Sequence, residues 1–348
     1  MIPLFKVRME PSVDQAVSKV LHSGFIGQGE NVEEFEKALI PWIGRETILT
    51  VNSCTSAIQL ALRLSGVQAS DEVISTPVTC TATNEPIVAM GARIVWADVD
   101  PWTGNIDPQS VKKKITKKTK AVIAVHWGGL PCNIDALLKI CKDHGIKLIE
   151  DAAHALGATY KGNPIGSHGD FVCFSFQAIK HLTTGDGGLL SCKSKKDYER
   201  AKLLRWYGIK RPANLKKDIP EWGYKFHMND IAAALGLENL KGLKEDLQKR
   251  HANADFINGF CLDPKESAYW FLARHIERRD AFIKHMAKNG IACGTVHERN
   301  DAYSMFRDFR TYLPGVDSFC KTQVNLPIGP WLIFSDRVRI VEAVHAFK

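Results

Sequence analysis

The sequence predicts an α/β fold with a mostly parallel central sheet and helices on both faces, followed by a smaller C-terminal α+β domain. Three observations predict it. From Ser53 to about Leu190, short runs rich in β-branched residues alternate with segments of helical period, the pattern of βα units and so of a parallel sheet. The 348 residues exceed one ordinary core and suit one large domain plus a small one. An apolar share of 45% and a charged share of 24% belong to a chain that buries a substantial interior.

Taken in order, two helices are expected over 11–22 and 31–39, flanking the loop Gly24-Phe25-Ile26-Gly27-Gln28-Gly29, which can reach a ligand. Strands are expected over 72–76, 93–97, 120–126, 146–150, 171–175 and 188–192, each a short β-rich run. Helices are expected between them over 53–64, 81–89, 107–114 and 134–144. A helix of good period starts near Asn229, with Ile231, Leu235, Leu237, Leu240, Leu243 and Leu247 as its apolar stripe. It is expected to link a large domain, 1–235, to a small one, 236–348. Beyond about Leu262 the small domain reads as a strand over 268–275, a helix over 280–288 and a closing helix from Ser335.

The formal charge of +8 draws on the run from Lys112 to Lys120 and suits an anionic partner. A nucleic-acid reader pairs such a stripe with a recognisable module, and no RNA-recognition, zinc-finger or OB signature is present. A small anionic substrate accounts for the charge equally well, and no nucleic-acid partner is expected. No apolar run approaches the length that spans a bilayer, and the first residues lack the apolar core of a signal peptide, so a cytoplasmic protein with no membrane partner is expected. Nine cysteines without a C-x-x-C pair imply reduced thiols, with no metal site and no disulfide framework.

The chemistry centres on Lys180, within Phe174-Ser175-Phe176-Gln177-Ala178-Ile179-Lys180-His181-Leu182-Thr183-Thr184-Gly185-Asp186-Gly187-Gly188, and on Asp151, which ends a predicted strand. A lone lysine is ordinarily a surface residue, and a lone aspartate there ordinarily caps a helix. Together they meet two requirements of pyridoxal 5'-phosphate, an amine for the imine and a carboxylate at the pyridinium nitrogen. In open parallel sheets ligands bind beyond the carboxyl ends of the strands, which is where Asp151 falls. His154 is placed to bond the phenolic oxygen, although a lone histidine is more often structural. Donors for the phosphate are expected at Asn52-Ser53-Cys54-Thr55-Ser56-Ala57, where hydroxyls meet a helix N-terminus, and at Ser175. Gly27, Gln28, Gln177 and His297 are candidate substrate-side groups.

These motifs carry a resemblance. The span from about Ser23 to His297 resembles the nucleotide-sugar aminotransferases of the DegT/DnrJ/EryC1/StrS type, within the aspartate aminotransferase fold (fold type I). It runs through Gly24–Glu36, Asn52–Ala61, Ala92–Pro101, Val125–Asp135, Glu150–Ala158, Gly166–Gly188 and Trp222–Ala234. The resemblance implies Lys180 as the Schiff-base lysine, Asp151 at the ring nitrogen, His154 at the phenolic oxygen, and Thr55, Ser56 and Ser175 on the phosphate. It also implies a homodimer with shared active sites, in which Lys225, standing where the family often has asparagine, reaches the neighbouring subunit's phosphate. The implied reaction moves an amino group from L-glutamate to a nucleotide-linked keto sugar, with a 4-keto-6-deoxyhexose favoured and a 3-keto sugar or a keto sugar acid as alternatives. Some relatives carry histidine in place of the lysine and act as dehydratases; here the register against Gly187-Gly188 puts Lys180 at the imine position and His181 one beyond. A regulatory or nucleic-acid-binding protein retaining the fold is the rival from another class. Cys80 departs from the family, since many relatives place there an aromatic residue that stacks on the cofactor, and Trp127 is an alternative source of that face.

Overall fold

The computed structural model describes residues 1–210, 218–258 and 266–347. Leu262 and Cys261 lie outside the described residues; the other eight cysteines are free thiols. Among the described residues no helix is long and apolar enough to cross a membrane.

The strands are β1 Ile48–Val51, β2 Glu72–Ser75, β3 Arg93–Trp96, β4 Thr119–Val125, β5 Lys147–Asp151, the short hairpin β6 Thr159–Tyr160 and β7 Asn163–Pro164, then β8 Phe171–Ser175, β9 Gly188–Cys192, β10 Leu272–His275 and β11 Gln323–Leu326. Seven form one sheet in the order β1-β9-β8-β5-β4-β2-β3. β3, β2, β4, β5 and β8 run parallel, while β9 is antiparallel to both β8 and β1. Parallel strands covered on both faces must be apolar on both, and β4, β5, β8 and β9 are almost wholly buried. That continuous apolar character is why the sequence placed these strands to within a residue or so.

One core packs the helices Cys54–Leu64 and Lys195–Leu204 on one face of the sheet, and another packs the helix Glu30–Ile43 with residues around Met228–Leu247 on the other. A third, built on Phe282, Met286, Val324, Leu326 and Ile340, belongs to the C-terminal part, where β10 and β11 pair antiparallel. Ile2 joins that third core and bridges to Ile291, so the chain's first residues pack with its last.

Several elements differ from expectation: β1, the hairpin β6–β7, β11 and the helices Lys195–Leu204 and Pro314–Thr322 are additional, and one expected helix is divided. β1 was not foreseen, because an apolar run of four residues carries no period and abuts the cap of the next helix. The single helix from Asn229 is two, Asp230–Leu240 and Leu243–Asn258, broken at Lys241-Gly242. Its buried face in the first half is Ala233, Ala234, Gly236 and Asn239, not the leucine stripe. A Cβ on Gly236 would come within 2.6 Å of the Phe35 ring, so small residues bring this helix close to Glu30–Ile43 and leave Leu235 and Leu237 half-buried.

Asp230 fixes that contact. The helix Glu30–Ile43 begins at Gly29, which has no side chain to cap it, and the buried Asp230 carboxylate supplies the cap instead. It accepts from the amides of Gly29 (2.8 Å) and Val32 (3.1 Å) and from Asn31 Nδ2 (3.0 Å). Asp230→Ala strands those donors and is expected to destabilise the fold by about 3 kcal/mol, read as a lower urea midpoint. An unchanged midpoint would mean that solvent caps the helix equally well.

Candidate active site

β5 ends at Asp151 and β8 at Ser175, side by side at the carboxyl edge of the sheet. The chain then leaves β8 and returns as β9 through a closed loop. Phe176 N–H donates to Gly187 O at 2.8 Å, Thr184 N–H donates to Phe176 O at 2.9 Å, and Lys180 N–H closes a turn on Gln177 O at 2.9 Å. Glycine is required at its end: a Cβ on Gly188 would lie 2.5 Å from the Cys54 amide nitrogen. Gly188 is in register with both Ser175 and Val51, so Ser175 and the start of the helix Cys54–Leu64 flank one spot.

Lys180 is turned inward. Its Nζ lies 3.5 Å from the centroid of the Trp270 ring. Burial pushes its amine down to about 8, against the opposing pull of Asp151, Cys54 and Cys80. His181 takes another direction, donating from Nε2 to Ala268 O at 2.9 Å, and burial holds it well below the usual histidine range. Lys180 is thus the member of the pair coupled to Asp151.

Asp151 is buried and accepts from Ala153 N–H at 3.0 Å and Thr83 Oγ1 at 2.7 Å. His154 is also buried; desolvation first, then the charge of Lys180 and the neighbouring histidines, keep it neutral. Its ring stacks on Trp270 at 3.9 Å, and its Nδ1 has no hydrogen-bond partner among the described residues. An enclosed ring nitrogen without a partner is costly unless a ligand meets it. At the helix start Ser53 caps Ser56 N–H, and Ser56 Oγ donates to Asn52 Oδ1 at 2.6 Å. The preceding amides, Cys54 and Thr55, are those that helix geometry leaves for an anion. A carboxylate, an amine, an unpartnered imidazole nitrogen and a helix N-terminus beside Ser175 fit pyridoxal phosphate.

The structure brings Lys180, His154 and His297 together. His297 lies 5.9 Å from His154 with its ring nearly parallel, and burial followed by the charge of Lys180 pushes it down to about 4. Its amide bonds to Thr295 O across Val296, whose φ is +66°. A β-branched residue in the left-handed region is strained, by about 1–3 kcal/mol, which marks this turn as held for a purpose. Gln177 instead shapes the lysine turn, its Oε1 accepting from Ile179 N–H at 3.2 Å. Gln28 and Lys225 gather elsewhere in the chain, around Trp206: Gln28 lines a cleft with it, and Lys225 Nζ lies 5.5 Å from its ring. Gly27 holds the helix start, its carbonyl accepting from Asp230 N–H at 2.8 Å.

Trp270 is one functional residue that the sequence does not single out. Trp127 meets His154 only edge-on, whereas Trp270 stacks with both Phe5 and His154 and lies under Lys180 Nζ. Its Nε1–H donates to Ile179 O at 2.9 Å, and the buried Arg250 donates to its carbonyl at 3.0 Å. Its position in the apolar run Tyr269-Trp270-Phe271 was the available signal. Among the described residues no group of three or more His, Cys, Asp or Glu is placed to hold a metal ion.

This sheet order and this lysine–carboxylate pair define an enzyme of the fold type I transaminases. The chain belongs to the DegT/DnrJ/EryC1/StrS aminotransferase family, whose model matches residues 8–345. It is 34% identical to the spore coat polysaccharide biosynthesis protein SpsC of Bacillus subtilis, over 95% of this chain and 92% of that one. It is 29% identical to the UDP-4-amino-4,6-dideoxy-N-acetyl-beta-L-altrosamine transaminase of Campylobacter jejuni, over 94% of this chain and 92% of that one. The crystal structure of the sugar aminotransferase CalS13 from Micromonospora echinospora superposes with a TM-score of 0.97 at 38% identity, covering 100% of both chains.

Proposed function

We propose that this chain is a pyridoxal phosphate-dependent transaminase that moves an amino group from L-glutamate to a keto sugar on a nucleoside diphosphate, most simply a 4-keto-6-deoxyhexose giving the 4-amino sugar. The observation that carries the reading is the placement of the Lys180 amine, turned inward over the Trp270 ring at 3.5 Å and in the field of Asp151, with burial lowering it to about 8. The C. jejuni transaminase, named for a UDP-linked 4-amino sugar, supports the nucleotide and the ring position. A 3-keto sugar or a keto sugar acid uses the same machinery and is separated by the experiment below.

When bound, the cofactor supplies an aldehyde for the amine and a protonated ring that withdraws electrons from the substrate carbon. The protein does the rest. Asp151 holds the proton on the ring nitrogen, and neutral His154 donates toward the phenolic oxygen. Thr55, Ser175 and the helix N-terminus would hold the phosphate, joined by Ser56 once its hydroxyl turns from Asn52, with Lys225 of a second copy as a further cation. Lys180 would take the proton from the donor's α-carbon at Nζ and give it back to the carbon on the far side of the bridging nitrogen, acting as base and then acid. Trp270 and Phe5 close one side against water, and His297, neutral and held by its strained turn, meets a sugar hydroxyl. A homodimer with shared sites fits the exposed Phe25 and Ile26 and the cleft that Phe25 lines with the half-buried Leu237.

The dehydratase reading would need a histidine in place of Lys180, and His181 is committed to Ala268 O. The test incubates the purified protein with pyridoxal phosphate, L-glutamate and a panel of UDP-, GDP- and dTDP-linked keto sugars. A product whose carbonyl oxygen is replaced by an amine, formed one-for-one with 2-oxoglutarate, is expected by mass measurement. A sugar that loses a hydroxyl without gaining nitrogen would refute transamination.

A further inference from the structure

Asp151 is the end of a buried chain of hydrogen bonds. Its Oδ2 accepts from Thr83 Oγ1 at 2.7 Å, and Thr83 Oγ1 lies 2.7 Å from Thr79 Oγ1. A carboxylate has no proton to give, so the Thr83 proton is committed to Asp151 and Thr79 must donate to Thr83. The other oxygen, Oδ1, accepts from Ala153 N–H at 3.0 Å and faces the Cys54 thiol at 3.8 Å. The carboxylate cannot turn about its Cβ–Cγ bond without losing one of these donors.

The chain continues behind Thr79. Its carbonyl accepts from Asn300 Nδ2 at 2.8 Å, and the Asn300 amide donates to Pro77 O at 2.8 Å. Asn84 Nδ2 donates to Asn300 Oδ1 at 2.7 Å, and Asn84 Oδ1 accepts from Ser75 Oγ at 2.6 Å. Asp151, Thr83, Thr79, Asn84, Asn300 and Ser75 are all buried. Asn300 stands 216 positions after Asn84, three residues beyond His297, so the chain joins Asp151 to the segment that carries His297.

We propose that Thr83 is a positioning residue for Asp151: its donated hydrogen bond sets the carboxylate plane toward the cofactor's ring nitrogen, and the Thr79–Asn300 bonds brace that setting against the His297 segment. Thr83 touches neither cofactor nor substrate and acts only through Asp151. The proposal rests on the reading that Asp151 serves the ring nitrogen.

Thr83→Val keeps the shape and removes the donor; Thr83→Ser keeps the donor. In the enzyme reconstituted with pyridoxal phosphate, Thr83→Val is expected to weaken cofactor retention about tenfold, the cost of one lost bond to a charged group. It is also expected to raise the pH midpoint of the bound cofactor's absorbance band by about one unit, because a less firmly protonated ring leaves the nitrogen linking it to Lys180 more basic. Thr83→Ser restores both. A merely structural role for Thr83 would lower the melting temperature and leave the midpoint in place, which overturns the proposal. Asp151→Ala separates the two levels: if it leaves the midpoint unmoved, the reading of Asp151 fails; if it moves the midpoint and Thr83→Val does not, the role of Thr83 fails. Should Thr83→Val not fold, Thr83→Ala against Thr83→Ser gives the same comparison.

Discussion

Lys180→Ala is expected to abolish turnover, lowering kcat by at least about 10⁴-fold, and to remove the absorbance band of lysine-linked cofactor. The size of the effect follows from two roles resting on one atom. On the proposed reading Nζ would hold the cofactor covalently, and among the described residues it is the amine set over Trp270 and in the field of Asp151, where it would carry the proton between the two carbons either side of the bridging nitrogen. No nearby side chain replaces it: His181 is engaged with Ala268 O, and burial keeps His154 and His297 from carrying a proton near neutral pH. The fold should survive, because removing a buried amine also removes its desolvation cost. Circular dichroism and the melting temperature check that point, and glutamate-dependent formation of 2-oxoglutarate checks the activity. A variant that still turns over would remove Lys180 from the mechanism. His181→Ala, by contrast, disturbs packing against Ala268 and leaves the band in place.

Much of the site was legible in the sequence because its parts are local. Asp151 ends one buried parallel strand and Lys180 follows another, and such strands announce themselves as unbroken apolar runs. The helix cap at Ser53 is equally local, a hydroxyl three residues before the amide it caps. What escaped is long-range. Trp270 bonds Ile179 across 91 positions, and Thr83 bonds Asp151 across 68, separations at which neither period nor spacing carries information. The helix Asp230–Leu240 misled for a different reason. The leucine stripe predicts the buried face, and Leu243 and Leu247 are buried as it predicts, yet in the first half alanine and glycine make the close approach to Glu30–Ile43 while Leu235, Leu237 and Leu240 are half-buried. Its period was right and its orientation was not. The fate of Cys80 is similar: the missing aromatic was visible from the sequence, but the indole that faces Lys180 comes from the C-terminal part of the chain.

The rate at which cofactor-free protein captures pyridoxal phosphate should rise steeply with pH and level off just above 8. Only the neutral amine attacks the aldehyde, and burial lowers Lys180 from 10.5 to about 8. From that value the neutral fraction grows about fiftyfold between pH 6 and pH 8 and less than about twofold beyond it. An unshifted lysine would keep gaining until pH ~10. Stopped-flow recording of the absorbance band across this range distinguishes the two, and a plateau delayed to pH ~10 would show that the amine is solvated. The same shift makes a claim about stability with a definite sign. The folded amine loses its proton near 8 while the unfolded one keeps it to 10.5, so the unfolded chain holds more protons in that window and stability must climb with pH across it. Below 8 both states are protonated and the folded state carries the full cost of the enclosed charge. Lys180→Met has no such group, so the gap between its urea midpoint and that of the cofactor-free wild type should narrow as pH rises through 8, and a gap independent of pH would contradict the enclosure of Lys180 on which its reactivity depends.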